Sequence, residues 1–409
     1  MTDPERVTPP ARPAPAGLGE SRYGWVVVAG SFVSMGVIFG VAYSFAALFE
    51  PFAREFGAQR ADVAFVFGLS GLIYFLLGAP AGMLADRFGP GTICSAGMLC
   101  IAGGLLATSF AGSMTTVYLA YGLGIGTGVG LVYAPAIACV QPWFTRRRGL
   151  AAGIASSGIG AGTLAVPLIV TAAIAAFEWR TGLRLLALGV LVVGLAATLV
   201  LRKPAARRTA LPVASGASLR EALHDRRFWW FYGFALLSAP TMFIPFAHVS
   251  AAARDLGIDN TRAVSLIGLI GIGSLLGRFA IGALADRLGR TLTLAMMQAS
   301  IAASYLLWAG AGSYASLAVF AVWFGLSYGA IVSLMPAICM DMFGSRAVAS
   351  IVGTLYTGAA LGNLLGPVLA GAVFDRTGSY APVMWACVAL ATLAAAAASR
   401  LVDRGPSHY

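Results

Sequence analysis

The chain has 409 residues, of which 59% are hydrophobic and only 11% charged, with 51 glycines and a formal net charge of +11. An ordinary soluble domain carries roughly 25% charged residues, so a water-soluble globule is excluded. The basic excess would suit nucleic acid by its total, but its placement along the chain does not.

Residues 1–22 are rich in Pro and Ala and lack an apolar run with a cleavage site, which reads as a disordered cytoplasmic tail and not as a signal peptide. Apolar stretches then follow at 24–49, 61–84, 92–111, 115–141, 149–175 and 182–201. After a polar linker at 202–227 they resume at 228–252, 264–285, 292–311, 314–341, 348–374 and 380–401, and a short tail occupies 403–409. About 20 apolar residues cross a bilayer as a helix, and open strands cannot survive there. The expected fold is therefore an all-α polytopic membrane protein of twelve transmembrane helices in two six-helix halves, 23–201 and 228–402.

Nineteen of the 27 Lys and Arg residues fall on the side of the termini and linker, which places both termini in the cytoplasm of an inner-membrane, multi-pass protein. The expected surroundings are lipid, with no nucleic acid, and the expected state is monomeric. The five cysteines show no metal-ligand spacing and read as buried small hydrophobes; no metal or cofactor is expected.

The two halves repeat at an offset of 200. Gly82-Met83-Leu84-Ala85-Asp86-Arg87-Phe88-Gly89 recurs as Gly282-Ala283-Leu284-Ala285-Asp286-Arg287-Leu288-Gly289. Gly153, Gly158, Gly162 and Pro167 align with Gly353, Gly358, Gly362 and Pro367. Parallel repeats suit a carrier that rocks one half against the other. The repeated segment turns the chain at Gly89 and Gly289 and leaves Asp86 and Asp286 able to pair with arginines or helix ends, a gating or structural role. No nucleophile–base pair competes for an enzymatic reading. Gly124-Ile125-Gly126-Thr127-Gly128 follows no strand, so its glycines serve close helix approach and not a dinucleotide.

Positions where one half is polar and its mate is not are candidates for chemistry. Arg278, mated to Gly78, lies inside the eighth span, where an arginine costs roughly 2.5–3.5 kcal/mol or more. Its helix runs inward and its side chain leans back toward the midplane, which argues against snorkelling and leaves an anion site or an internal ion pair. His248, mated to Leu48, is either a helix-packing residue or a substrate or proton contact. Pro240 and Pro245 interrupt the backbone ladder of its helix. Tyr43, Tyr133, Tyr328 and Ser274, and more weakly Tyr356 and Asn363, are either packing residues or lining of a cavity.

The repeated Gly-xxx-Asp-Arg-x-Gly segment resembles the signature of the major facilitator superfamily over about residues 24–401. Trp143-Phe144, the basic triplet Arg146-Arg147-Arg148 and Gly149-Leu150-Ala151-Ala152-Gly153 are similar to the signature opening the fifth helix of monocarboxylate transporters, which are related to oxalate/formate antiporters. The resemblance implies that Arg278 binds a substrate carboxylate. Animal members carry a lysine where Tyr43 stands and an aspartate where Ser274 stands, groups associated there with proton coupling. The expected function is secondary active transport of a small monocarboxylate, lactate- or pyruvate-like or a larger 2-oxo acid, with proton symport through His248 or the carboxylate itself. The alternatives are an organic-anion antiporter or a drug efflux carrier.

Overall fold

The computed structural model describes residues 22–144, 147–204, 216–344 and 346–401, except the side chains at 148, 282, 283 and 286. Among the described residues, twelve helices are long and apolar enough to cross a membrane. Spans 1 to 6 are Arg22–Phe56, Arg60–Phe88, Pro90–Thr108, Met114–Trp143, Gly149–Phe177 and Trp179–Leu199. Spans 7 to 12 are Arg226–Asp255, Asn260–Ile281, Arg290–Ala309, Tyr314–Phe343, Val348–Thr377 and Ala381–Ser399. The helix of span 8 continues to Leu288. Because the spans alternate in direction, both ends of the described chain share one side with the segment between spans 6 and 7. We call this the linker side, and the opposite one the far side.

Several helices outrun the apolar stretches that announced them. Hydropathy stops at the first charges, whereas the helix of span 1 runs on through Glu50, Pro51, Arg54 and Glu55. Its one interruption is at Ser44, whose hydroxyl donates to the Gly40 carbonyl at 2.7 Å, a back-bond of the kind that bends helices. Span 7, by contrast, stays helical across Pro240 and Pro245. Gly362 and Gly366 of span 11 sit directly against Pro240, so the neighbour fills the space at that proline.

Small residues set the helix contacts. Gly158 and Gly162 of span 5 press on the backbone of Phe32 and Gly36 in span 1, with no room for a Cβ. Gly329 of span 10 lies on the Ser274 backbone of span 8, which fixes that stretch of span 8 beside the interior. Gly124, Gly126 and Gly128 face Gly104, Ser70 and Gly97, as close-approach glycines should. The two halves meet chiefly through spans 2 and 11 and through spans 5 and 8.

The linker holds one feature hidden by its polar composition. Ser218 and Glu221 form a capping box that opens a short helix, Leu219–His224, and Asp225 then caps span 7 by accepting from the Arg227 amide at 2.8 Å. Bonds from Ser218 hold the Glu221 carboxyl below the usual glutamate range. Ahead of this helix, the Ala217 amide donates to the Phe343 carbonyl at 2.8 Å and ties the linker to the end of span 10.

Candidate functional site

Aromatic residues from both halves converge at mid-depth. Phe39, Tyr74, Phe75 and Tyr133 on one side and Phe243, Tyr328 and Tyr356 on the other line a central chamber of about 50 Å³. Tyr43 sits beside the Ser44 bend of span 1. Its hydroxyl is 2.8 Å from that of Tyr328 and its ring stacks on Phe246 at 4.0 Å, so spans 1, 7 and 10 are joined across the interface.

Arg278 stands next to this assembly. It lies on span 8, one turn beyond Ser274, whose backbone packs on Gly329 next to Tyr328. Its Nε and Nη2 are buried and make no hydrogen bond. Ser274, one turn away, has a buried hydroxyl that is likewise unpartnered. Among the described residues, the chamber lining includes neither a carboxylate nor Arg278 itself. A guanidinium with two buried, unpartnered nitrogens has free donors that a carboxylate could satisfy.

Tyr74, Phe75, Tyr133 and Tyr356 also line a vestibule of about 430 Å³ that reaches Asp86, Pro90 and Lys203 on the linker side. On the far side the halves are sealed together. Arg60, at the start of span 2, grips Asp255 of span 7 through Nη1 at 2.8 Å and Nη2 at 2.6 Å. The same guanidinium lies 3.7 Å over the Phe374 ring and donates to the Tyr380 hydroxyl at 2.8 Å. Asp375 of span 11 accepts from the backbone amides of Arg60 and Ala61 at 3.0 and 2.9 Å and so caps the first turn of span 2.

His248 belongs to this seal. It is fully buried, with Nε2 2.8 Å from the Pro367 carbonyl and Nδ1 2.9 Å from the Tyr380 hydroxyl. A carbonyl only accepts, so Nε2 carries a proton; in the neutral ring Nδ1 accepts from Tyr380, whose oxygen accepts from Arg60. The phenyl ring of Phe49, from span 1, packs against the imidazole at 5.6 Å. The Arg60→Ala variant is expected to loosen the seal. A cysteine placed by Ser250→Cys, in span 7 against Ala46, should then react with an impermeant maleimide from the far side about five- to tenfold faster, the effect of about 1 kcal/mol from a half-exposed bidentate pair.

Of the residues singled out in the sequence, Tyr133, Tyr328 and Tyr356 line the chamber and Tyr43 bonds to Tyr328; Ser274 packs on Gly329 with Arg278 one turn further along span 8, while His248 is not among the lining residues. Asn363 lies in the packed contact between spans 11 and 2, directly over Gly71, and both ends of its amide are buried without partners. The subtraction of one half from the other overlooked Tyr74, because its mate Ser274 is also polar, and the phenylalanines, because a phenylalanine in an apolar span carries no signal of its own. Arg60 escaped because a charge at a helix end satisfies ordinary topology, although its mate, Asn260, is uncharged.

At the linker side Gly89 and Gly289 turn the chain with φ of +89° each. Asp86 pairs with Lys203 at 2.7 Å, a lysine and not the arginine or helix end expected. Arg87 is exposed and lies 5.1 Å over Phe88; Arg287 is exposed; Arg290 meets both oxygens of Asp341 at 2.8 Å. Arg147 stands just before span 5, while Arg146 and the side chains of Arg148 and Asp286 lie outside the described residues.

The family model of the Major Facilitator Superfamily matches residues 27–353 and 239–408. Monocarboxylate transporter 13 of Rattus norvegicus is 31% identical over 372 residues, covering 88% of this chain and 84% of that protein. Its Bos taurus counterpart is 30% identical over 362 residues with the same coverage. The chain belongs to the major facilitator superfamily, in its monocarboxylate transporter-like family. Monocarboxylate transporter 3 of Rattus norvegicus is 29% identical over 89% of this chain and 77% of its own. Among solved structures, a bacterial homolog of the human lysosomal transporter Spinster, described as inward-facing and occupied, superposes with a TM-score of 0.74 at 18% identity, over 94% of this chain and 98% of that one. This member of the family is a membrane transporter and not an enzyme.

Proposed function

We propose that the protein is a secondary active transporter of a monocarboxylate, working by alternating access, with Arg278 as the carboxylate receptor and Tyr43, Tyr133, Tyr328 and Ser274 completing the shell. The observation behind this is the Arg278 guanidinium inside span 8, whose Nε and Nη2 are buried without a hydrogen-bond partner. One cation fits one carboxylate. The positive-inside rule makes the linker side cytoplasmic in a cell inner membrane, so the vestibule is open inward and the Arg60 seal closes the outside. The relatives' name, monocarboxylate transporter, agrees with this cargo.

Proton coupling on this reading acts on the seal. A proton arriving at His248 Nδ1 removes the acceptor for Tyr380, and the outer seal loosens on the acidic side. Uptake into proteoliposomes should therefore rise when the outside is made acidic and lose that dependence in His248→Asn; uptake indifferent to the gradient contradicts proton coupling.

A second reading, exchange of one organic anion for another, is favoured by Arg278 Nε and Nη2 having no partner among the described residues. An empty carrier must close around an uncompensated charge, whereas the loaded carrier is neutralised by its cargo. Counterflow against preloaded unlabelled carboxylate is then expected to outrun net uptake about tenfold or more, and Ser274→Asp should narrow the gap. Equal rates in both assays would count against exchange.

A further inference from the structure

The carboxylate receptor leaves open what the rest of the cargo looks like, and the chamber walls bear on that. Resting on the monocarboxylate reading above, we propose that the preferred cargo is an aryl monocarboxylate, a single carboxylate carried on a flat aromatic body. Half of the chamber-lining residues are aromatic, Met242 and Met335 add polarisable sulfur, and Ser238 is the only polar lining residue besides the tyrosines. The Ser238 hydroxyl is itself engaged with Gln298 at 2.8 Å, so it is not offered to a ligand. A short hydroxy acid would cover little of such a wall and find few partners beyond the phenols at the charged end.

The rings are set to receive another ring. Phe75 meets Phe243 at 5.7 Å and 73° and Tyr356 at 5.5 Å and 67°, and Phe39 meets Tyr133 at 5.5 Å and 84°. These are edge-to-face contacts, in which aromatic edges and faces satisfy one another. A cargo ring too large for the chamber of about 50 Å³ meets the same residues from the vestibule of about 430 Å³, which Tyr74, Phe75, Tyr133 and Tyr356 also line. Methionine sulfur beside a ring edge adds to the attraction. Phe75 is the pivot: it touches rings from both halves and lines both the chamber and the inward vestibule. A ring held against Phe75 lies in the vestibule, between the chamber and the linker side. Phe75 thus sets the choice of body, as Arg278 sets the choice of head group.

The test compares benzoate with cyclohexanecarboxylate, which has the same head group and nearly the same bulk without the π system, and adds phenylpyruvate and lactate. Equilibrium binding to the purified full-length carrier is expected to favour benzoate over cyclohexanecarboxylate by about 3–10-fold, the usual worth of aromatic pairing. Phenylpyruvate should bind at least about tenfold tighter than lactate. Phe75→Leu should bring the benzoate preference close to one while cyclohexanecarboxylate still binds. Equal or weaker binding of the aryl acids, with lactate or the aliphatic acid binding in an Arg278-dependent way, overturns this inference and leaves the monocarboxylate reading intact. Binding of none of the four acids overturns both.

Discussion

Replacing Arg278 with alanine is expected to abolish carboxylate uptake while leaving the carrier folded. In the wild-type chamber the incoming carboxylate exchanges water for a guanidinium whose Nε and Nη2 have no other partner. Without it, a buried anion would face only phenol groups, and losing one partner of a desolvated charge pair costs about 2–5 kcal/mol. That corresponds to a loss of roughly 30- to several-thousand-fold in apparent affinity, and uptake in proteoliposomes should fall to the level of protein-free vesicles. The ligand-free protein should behave in the opposite sense. An unpaired buried charge opposes folding, so Arg278→Leu should melt at a higher temperature than wild type. A structural ion pair predicts the reverse, a lower melting temperature, and the two measurements together separate a receptor from a strut.

Gly71→Val is the second change expected to stop transport, and for a different reason. Closing the far side packs span 2 onto span 11, with Gly71 directly beneath the Asn363 amide. A Cβ on residue 71 would overlap Asn363 Nδ2 and stand 2.5 Å from its Cγ, so rotating the amide gives no relief and the whole side chain must move. Overpacking of this kind costs about 1–3 kcal/mol, borne only by the arrangement in which these helices touch. The carrier should therefore be held open to the far side, binding cargo there without releasing it inward. Pairing Gly71→Ala with Asn363→Ala removes the clash and should restore transport. The closed seal also leaves both amide ends of Asn363 unpartnered, at about 1–3 kcal/mol, so Asn363→Ala alone should favour the inward-open form and slow its reopening.

The twelve spans were legible because nothing in a bilayer but a helix can hide so many backbone groups, and the repeat told the halves apart. Arg278 was legible for the same reason: charge inside a span is expensive, and its mate at 78 is a glycine. Where hydropathy was the guide, it erred at the ends, since helices such as Arg22–Phe56 continue into the charged interface where water again solvates their side chains. The chamber walls were less visible. Tyr74, Phe75 and Phe243 differ little from the apolar background, and only their convergence from spans 2 and 7 makes them a wall. His248 shows the limit of the subtraction. It flagged an unusual polar residue correctly, but which group it meets depends on Tyr380 and Pro367, more than 100 positions away. The seal around Arg60 lay within reach of the same method, because Arg60, Asp375 and Tyr380 are mated to Asn260, Ala175 and Arg180. Charges at span ends were read only for topology.

The central claim, that Arg278 receives a carboxylate in a chamber shared by both halves, is tested most directly by titrating benzoate into the purified carrier and following its thermal stability. A ligand that binds only the folded state raises stability with the logarithm of its saturation. The shift is expected to keep growing with benzoate concentration in the wild type and to be absent in Arg278→Ala at the same concentrations. Equal shifts in the two proteins, or a wild type that benzoate leaves unmoved while Arg278→Ala responds, would contradict the claim.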